Sequence, residues 1–283
     1  MIPFHNDGSD SSMRASDEKS VPEEWRDKGM NSRVLASAVG IALIGLLFAV
    51  MAIFTWRIGM VVGAVFTAVI SCFFFSTVCF AYVHSLRRPK GWSDITSEGG
   101  ALVIVYSRPV FSVLVVIVGV VVLLTGGVAV AVLISAGAGT GSGGAIIPGL
   151  FGVYMASFLV DVATSRVRRG SLTLSPDGIR QRGWSYESYL SWDAVIGGKA
   201  AYYDHRKVLI FAYSNAEWER RHTTRLWRID RLPPVPMMEL DCRNFDIDPV
   251  VLFHLVMFYV DNPLARAELS SDAPLRRLQQ SSW

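Results

Sequence analysis

The densest gathering of chemically capable residues lies between positions 218 and 231. There Arg220, Arg221, Arg225, Arg228 and Arg231 are interleaved with Trp218 and Trp227. A guanidinium offers five donors in a fixed fork and keeps its charge, and an indole favours the boundary between water and acyl chains. Such a run suits the anionic surface of a bilayer, where each basic residue contributes about 1 kcal/mol. The phosphates and bases of a nucleic acid are another polyanion it could meet, and a solvated strand face beside a membrane needs no ligand at all. The formal net charge of +3 is too small to argue for nucleic acid. The group is therefore a candidate surface for anionic lipid or for a protein partner.

Asp161 is the second residue of interest, because it is the only charge between Pro109 and Ser165. Carboxylates inside a membrane are costly and often mark ion or proton routes. Arg166 follows five residues later, about 7.5 Å along a helix axis, which puts Asp161 near an interface and within reach of Arg166, Arg168 or water. A transport route would bring further polar groups at mid-membrane, where only scattered Ser and Thr occur.

Other patterns carry less. Gly139-x-Gly141-x-x-Gly144 matches a dinucleotide fingerprint in letters, but that motif works only between a strand and a helix. Here it joins two apolar runs and reads as a flexible turn. No His-Glu-x-x-His, Gly-x-Ser-x-Gly or Gly-x-x-x-x-Gly-Lys pattern occurs. His205, His222 and His254 are scattered, and His254 falls in an apolar helical run as a packing residue. The chain has three cysteines. Cys72 and Cys79 lie a heptad apart on one helix and cannot reach each other, and Cys242 stands alone. No catalytic residue, cofactor site or metal site is expected, and the chain does not read as an enzyme.

These residues must be positioned by an unusual set of elements. Residues 110–136 contain no ionisable side chain. A bilayer core about 30 Å thick needs roughly 20 apolar residues, and in lipid an uncharged run pairs its own backbone only as a helix. The same reading gives spans at 34–56, 59–83 and 145–165, hence a four-helix transmembrane domain over 34–165. Ala36/Gly40 and Gly59/Gly63 offer small residues one turn apart for close helix packing. Residues 1–33 form a polar tail with no apolar periodicity, expected to be disordered, with Trp25 and Arg33 suited to the interface. Residues 84–109 form a hydrophilic connection with a short strand at 101–106.

Lys and Arg in short flanks set orientation. The N-terminal tail carries five, the 84–109 connection four, and Arg166, Arg168 and Arg169 follow the last span, while the opposite loops carry only Arg57. Both termini are expected in the cytoplasm, in a multi-pass protein of the cell membrane.

Beyond 166 the chain holds seventeen Lys/Arg against fourteen Asp/Glu, the balance of an ordinary folded domain. Ser171-Leu-Thr-Leu-Ser175, then Pro176-Asp177-Gly178, then a second β-rich run reads as a hairpin. Further strands are expected at 187–192, 200–203, 208–213, 225–229 and 237–242. Asp248 and Pro249 open a helix that Asn262-Pro263 ends. That helix is apolar on every side and must be covered by more than the sheet: by the 101–106 strand, the bilayer surface, a second copy, or its own tail at 264–283.

The run Leu172-x-Leu174-Ser175-Pro176-Asp177-Gly178-Ile179, followed by Leu190-Ser191-Trp192-Asp193-Ala194-Val195-Ile196, resembles the opening of bacterial PH-like domains, including the YcxB-like group. The layout is similar to that of uncharacterised multi-pass membrane proteins of actinobacteria. The resemblance implies a cytoplasmic α+β domain over 166–263, a PH-like β-barrel closed by one C-terminal helix. The resemblance speaks to fold and not to activity. The absence of a nucleophile or metal cluster gives the expectation of a non-catalytic binding or regulatory role at the membrane face. The all-round apolar helix puts a homo-oligomer among the expectations. Inositide binding does not carry over, because the long basic first hairpin loop of lipid-reading PH domains is replaced by the tight Pro176-Asp177-Gly178. A small channel or transporter regulated by the soluble domain is the alternative.

Overall fold

The structure is a computed structural model that describes residues 21–26, 32–87, 95–136 and 144–280. The expected disorder of the N-terminal tail falls largely outside these residues, as do Gly139 and Gly141 of the glycine-rich turn.

Four runs of Val, Leu, Ile, Ala and Phe with no competing polar periodicity become long helices: α1 (Ser32–Arg57), α2 (Val61–Ala81), α3 (Arg108–Ala136) and α4 (Ile146–Ala163). Each belongs to a span long and apolar enough to cross a bilayer. Gly59, at φ +82°, turns the chain between α1 and α2, and α2 is prolonged by a π-turn over Tyr82–Leu86. Each helix packs chiefly on its neighbour in sequence, so the four stand as a row. The close approaches are not at Gly40 and Gly63, where an added Cβ would meet nothing closer than 3.8 Å. They are at Gly45, whose carbonyl accepts from Ser71 Oγ at 2.9 Å and where a Cβ would sit 3.1 Å from that of Phe74, and at Gly152 against Thr125.

The strands are β1 (Ile95–Glu98), β2 (Ala101–Val105), β3 (Ser171–Leu174), β4 (Gly178–Arg182), β5 (Tyr186–Ser191), β6 (Val195–Tyr202), β7 (Arg206–Ala212), β8 (Trp218–His222) and β9 (Met237–Asp241). They form a six-stranded antiparallel sheet, β1-β2-β3-β4-β5-β8, and a three-stranded sheet, β6-β7-β9. Among the described residues no ladder joins the two, so the expected closed barrel is not formed. A hydrogen-bonded barrel needs every strand paired on both sides, and here β5 pairs with β8 instead of β6. The expected strand at 225–229 is part of an irregular loop; the strand lies earlier, at Trp218–His222.

The β1–β2 hairpin comes from the connection between α2 and α3. Gly99 (φ +59°) and Gly100 (φ +75°) supply the two left-handed residues of its turn. Leu102 opposite Leu174 and Ile104 opposite Leu172 fix its register on β3, because a one-residue slip would carry these fully buried side chains to the other face. Gly178 opens β4 for a different reason from the one the turn motif suggests. Its φ is not positive, but a Cβ there would meet the Leu190 carbonyl oxygen at 2.5 Å.

The inner faces of both sheets and helix α5 (Pro249–Asp261) share one apolar core with Val110 at the start of α3 and Phe158 near the end of α4. Asp248 caps α5 by accepting from Val250 N at 2.7 Å. Its all-round apolar surface is answered within the chain. One side packs on β6. Trp25, expected at the membrane interface, is instead 1% exposed, meets Phe253 edge-on at 5.7 Å and donates from Nε1 to Ala201 O at 2.8 Å. The segment after α5 is a 3-10 helix (Pro263–Ser270) followed by α6 (Ala273–Gln280), with Leu269 and Leu278 buried. Arg277 lies over Phe258 at 4.4 Å. The folded unit is therefore larger than 166–263.

Candidate functional site

The loop over residues 223–236 joins β8 to β9 without a helix or strand, so its position is set by side chains. Asp230 Oδ2 accepts from the backbone N–H groups of Trp184 and Ser185, and Ser185 Oγ accepts from Asp230 N at 3.1 Å. Burial pushes the Asp230 carboxyl up, against the pull of those two donors. Thr223 N donates to Ser185 O at 2.9 Å, and Thr223 Oγ1 to Arg166 O at 2.7 Å. Trp227 reaches α4: its Nε1 donates to Ser157 Oγ at 2.9 Å, and its rings lie 4.6 Å from Tyr154 and 5.3 Å from Phe158.

This geometry divides the arginine group. Arg220 lies 5.4 Å over the Trp218 ring and donates to Pro233 O at 2.7 Å. Arg221 pairs with Glu187 at 2.8 Å while 78% of its side chain stays exposed. Trp218 itself donates to Ser188 Oγ at 2.6 Å. These three serve the sheet. Arg225, Arg228 and Arg231 are exposed, and among the described residues none of them has an ion pair or hydrogen-bond partner. Leu226 and Ile229 are exposed beside them, at 56% and 37%.

At the inner end of the same strands, Arg182 is buried between Glu187 and the Arg166 carbonyl. Burial and nearby Arg168 lower its pKa. Burial opposes ionisation of Glu187, but hydrogen bonds and charge from Arg221 and Arg182 win and hold it below the usual carboxylate range. Asp161 lies two residues before the end of α4, with Arg166 Nη1 3.6 Å from Oδ1. Among the described residues no second acidic group shares that run.

A second polar cluster, which the sequence did not single out, joins the end of α2 to the sheets. His84 stacks on Phe80 at 5.3 Å. Arg87 pairs with Asp246 at 3.1 Å. Arg243 spans Asp241 at 2.7 Å and His205 Nε2 at 3.2 Å. Burial disfavours the Asp241 carboxylate, yet His205 and Arg243 together hold it well below the usual range. Its oxygens are occupied by these partners, so the cluster reads as a joint. Its members come from three segments far apart in the chain, which gives no spacing signal for it. His222 lies at the end of β8 and His254 on α5, apart from this cluster.

Between the sheets, Gln181 Nε2 donates to Glu239 O at 3.0 Å and to Tyr106 Oη at 3.3 Å. Burial pushes the hydroxyls of Tyr106 and Tyr186 far up, and likewise the Cys242 thiol, which is thereby kept from acting as a thiolate. Among the described residues no group of three or more His, Cys, Asp or Glu side chains could hold a metal ion. No protein-family model, curated protein or solved structure matches the chain.

Proposed function

We propose that this is a multi-pass protein of the cell membrane, in which a PH-like domain acts as a non-catalytic binding or regulatory module at the cytoplasmic face. The observation that carries the reading is the single core built from three separate parts of the chain. Trp25 precedes α1, the β1–β2 hairpin lies between α2 and α3, and β3 follows α4. Two spans separate each part from the next, so all three meet on one side of a bilayer. Their Lys and Arg residues favour the cytoplasm. Support for the PH-like reading comes from the residue pattern at 172–196 and from two antiparallel sheets followed by one apolar helix. A domain held this firmly to the span ends suits a surface fixed at the leaflet.

Ion flux in proteoliposomes tests the reading. The reconstituted protein is expected to pass no more ions than protein-free vesicles, because Asp161 is already met by Arg166 at the helix end. Robust flux that disappears in Asp161→Asn would replace the module with a channel or transporter.

A further inference from the structure

Structureless connections of more than about 12 residues are uncommon in compact domains and usually functional. The 223–236 loop is one, and it is ordered by its anchors: Asp230 on the 184–185 turn, Pro233 O on Arg220, and Trp227 on α4. The last anchor decides its level. Ser157 lies six residues before Ala163, where α4 ends, or about 9 Å along the axis at about 1.5 Å per residue. Trp227 is thus pinned inside the depth of the span, near its polar end, the level at which indoles collect in bilayers.

The neighbouring side chains fit that level. Leu226 and Ile229 are exposed, which is unfavourable in water and natural at the edge of the acyl chains. Arg225, Arg228 and Arg231 have no carboxylate or carbonyl partner among the described residues. The nearest acid in sequence, Asp230, is committed to Trp184 and Ser185. An arginine stem can lie along apolar surface while its guanidinium reaches a phosphate, and the planar fork binds phosphate with two parallel hydrogen bonds.

We propose that residues 225–231 form a leaflet-inserted site for anionic phospholipid. Leu226 and Ile229 enter the acyl boundary beside α4, and Arg225, Arg228 and Arg231 hold the headgroup phosphates. The site rests on the membrane-face reading and gives that module its ligand class. It lies in the β8–β9 loop, away from the Pro176-Asp177-Gly178 turn.

The test uses the full chain in phosphatidylcholine nanodiscs with and without phosphatidylglycerol, reading by spin-label spectroscopy how strongly each lipid is immobilised. The wild type is expected to hold labelled phosphatidylglycerol in preference to phosphatidylcholine. Each of Arg225→Ser, Arg228→Ser and Arg231→Ser should cut that preference about fivefold. Arg221→Ser, which loses only its Glu187 pair, should keep it. The wild-type preference should also fall as salt is raised, since exposed charges are screened over about 8 Å at physiological ionic strength; this readout stands even if a variant folds poorly. Equal immobilisation of the two lipids by the wild type, or an unchanged preference when Arg225, Arg228 and Arg231 are all replaced by Ser together, overturns the site. Either result without ion flux leaves the module reading in place, with the arginines free for a protein.

Discussion

At the scale of single residues, what decides a role is whether a charge is already spoken for. Arg220 and Arg221 look like Arg225 in the sequence, yet Pro233 O and Glu187 engage them. Asp230 shows the converse, a carboxyl used as a structural acceptor for two backbone donors of the buried Trp184 and Ser185. Asp230→Ala leaves those N–H groups unsatisfied and should lower stability by about 1–3 kcal/mol, with a lower thermal midpoint in detergent. Asp230→Asn keeps an acceptor and should cost less. Its pH dependence has a definite sign. The folded pKa is raised by burial, so the stability that the neutral carboxyl contributes is present below the unfolded pKa and is lost as pH rises through the folded one. The wild type should therefore lose stability relative to Asp230→Asn over that window, and melting curves that stay parallel across it would refute the assignment.

At the scale of elements, contacts follow where backbones come close. Residue composition offered Ala36/Gly40 and Gly59/Gly63 as helix contacts, but α1 and α2 meet at Gly45 and Ser71. A larger side chain at 45 must displace Phe74, whose Cβ lies 3.1 Å from where a Cβ on residue 45 would stand. Gly45→Leu should cost about 1–3 kcal/mol through overpacking, while Gly40→Leu, which meets nothing within 4 Å, should melt within error of the wild type. The measurement is thermal unfolding of the two variants in the same detergent. Helix α5 belongs to this scale too. Its unbroken apolar surface signalled cover on several sides, and the cover is β6, Trp25 and the segment 263–280.

At the scale of the whole molecule, the three polar parts of the chain are one folded unit threaded by four spans. Trp25 and Ala201 are 176 residues apart in sequence and share a hydrogen bond, which ties the N-terminal flank to the second sheet. The flank and the C-terminal domain must then face the same compartment, and the proposed orientation, resting on the basic flanks, makes it the cytoplasm. Single cysteines at positions 12 and 282, in a chain lacking its native cysteines, should resist a membrane-impermeant thiol reagent in intact cells. One at position 142 should react. Labelling of both 12 and 282 from outside would reverse the orientation, and labelling of only one of them would break the shared core.

Local sequence signals specify the four apolar helices close to their ends, the position of most strands and the capped C-terminal helix. These follow from local causes: run length, alternation and caps. For Asp161 the spacing left Arg166, Arg168 and water open, and Arg166 is the residue that stands beside it. Long-range packing alone sets the β1–β2 hairpin in the main sheet, keeps the two sheets separate and makes Trp25 core. It leaves three arginines of five without a partner among the described residues, beside Trp227 on α4. Those outcomes depend on pairings between segments far apart in the chain. Their energy comes from which surfaces are left to bury once the local elements exist, and no spacing along the chain records it.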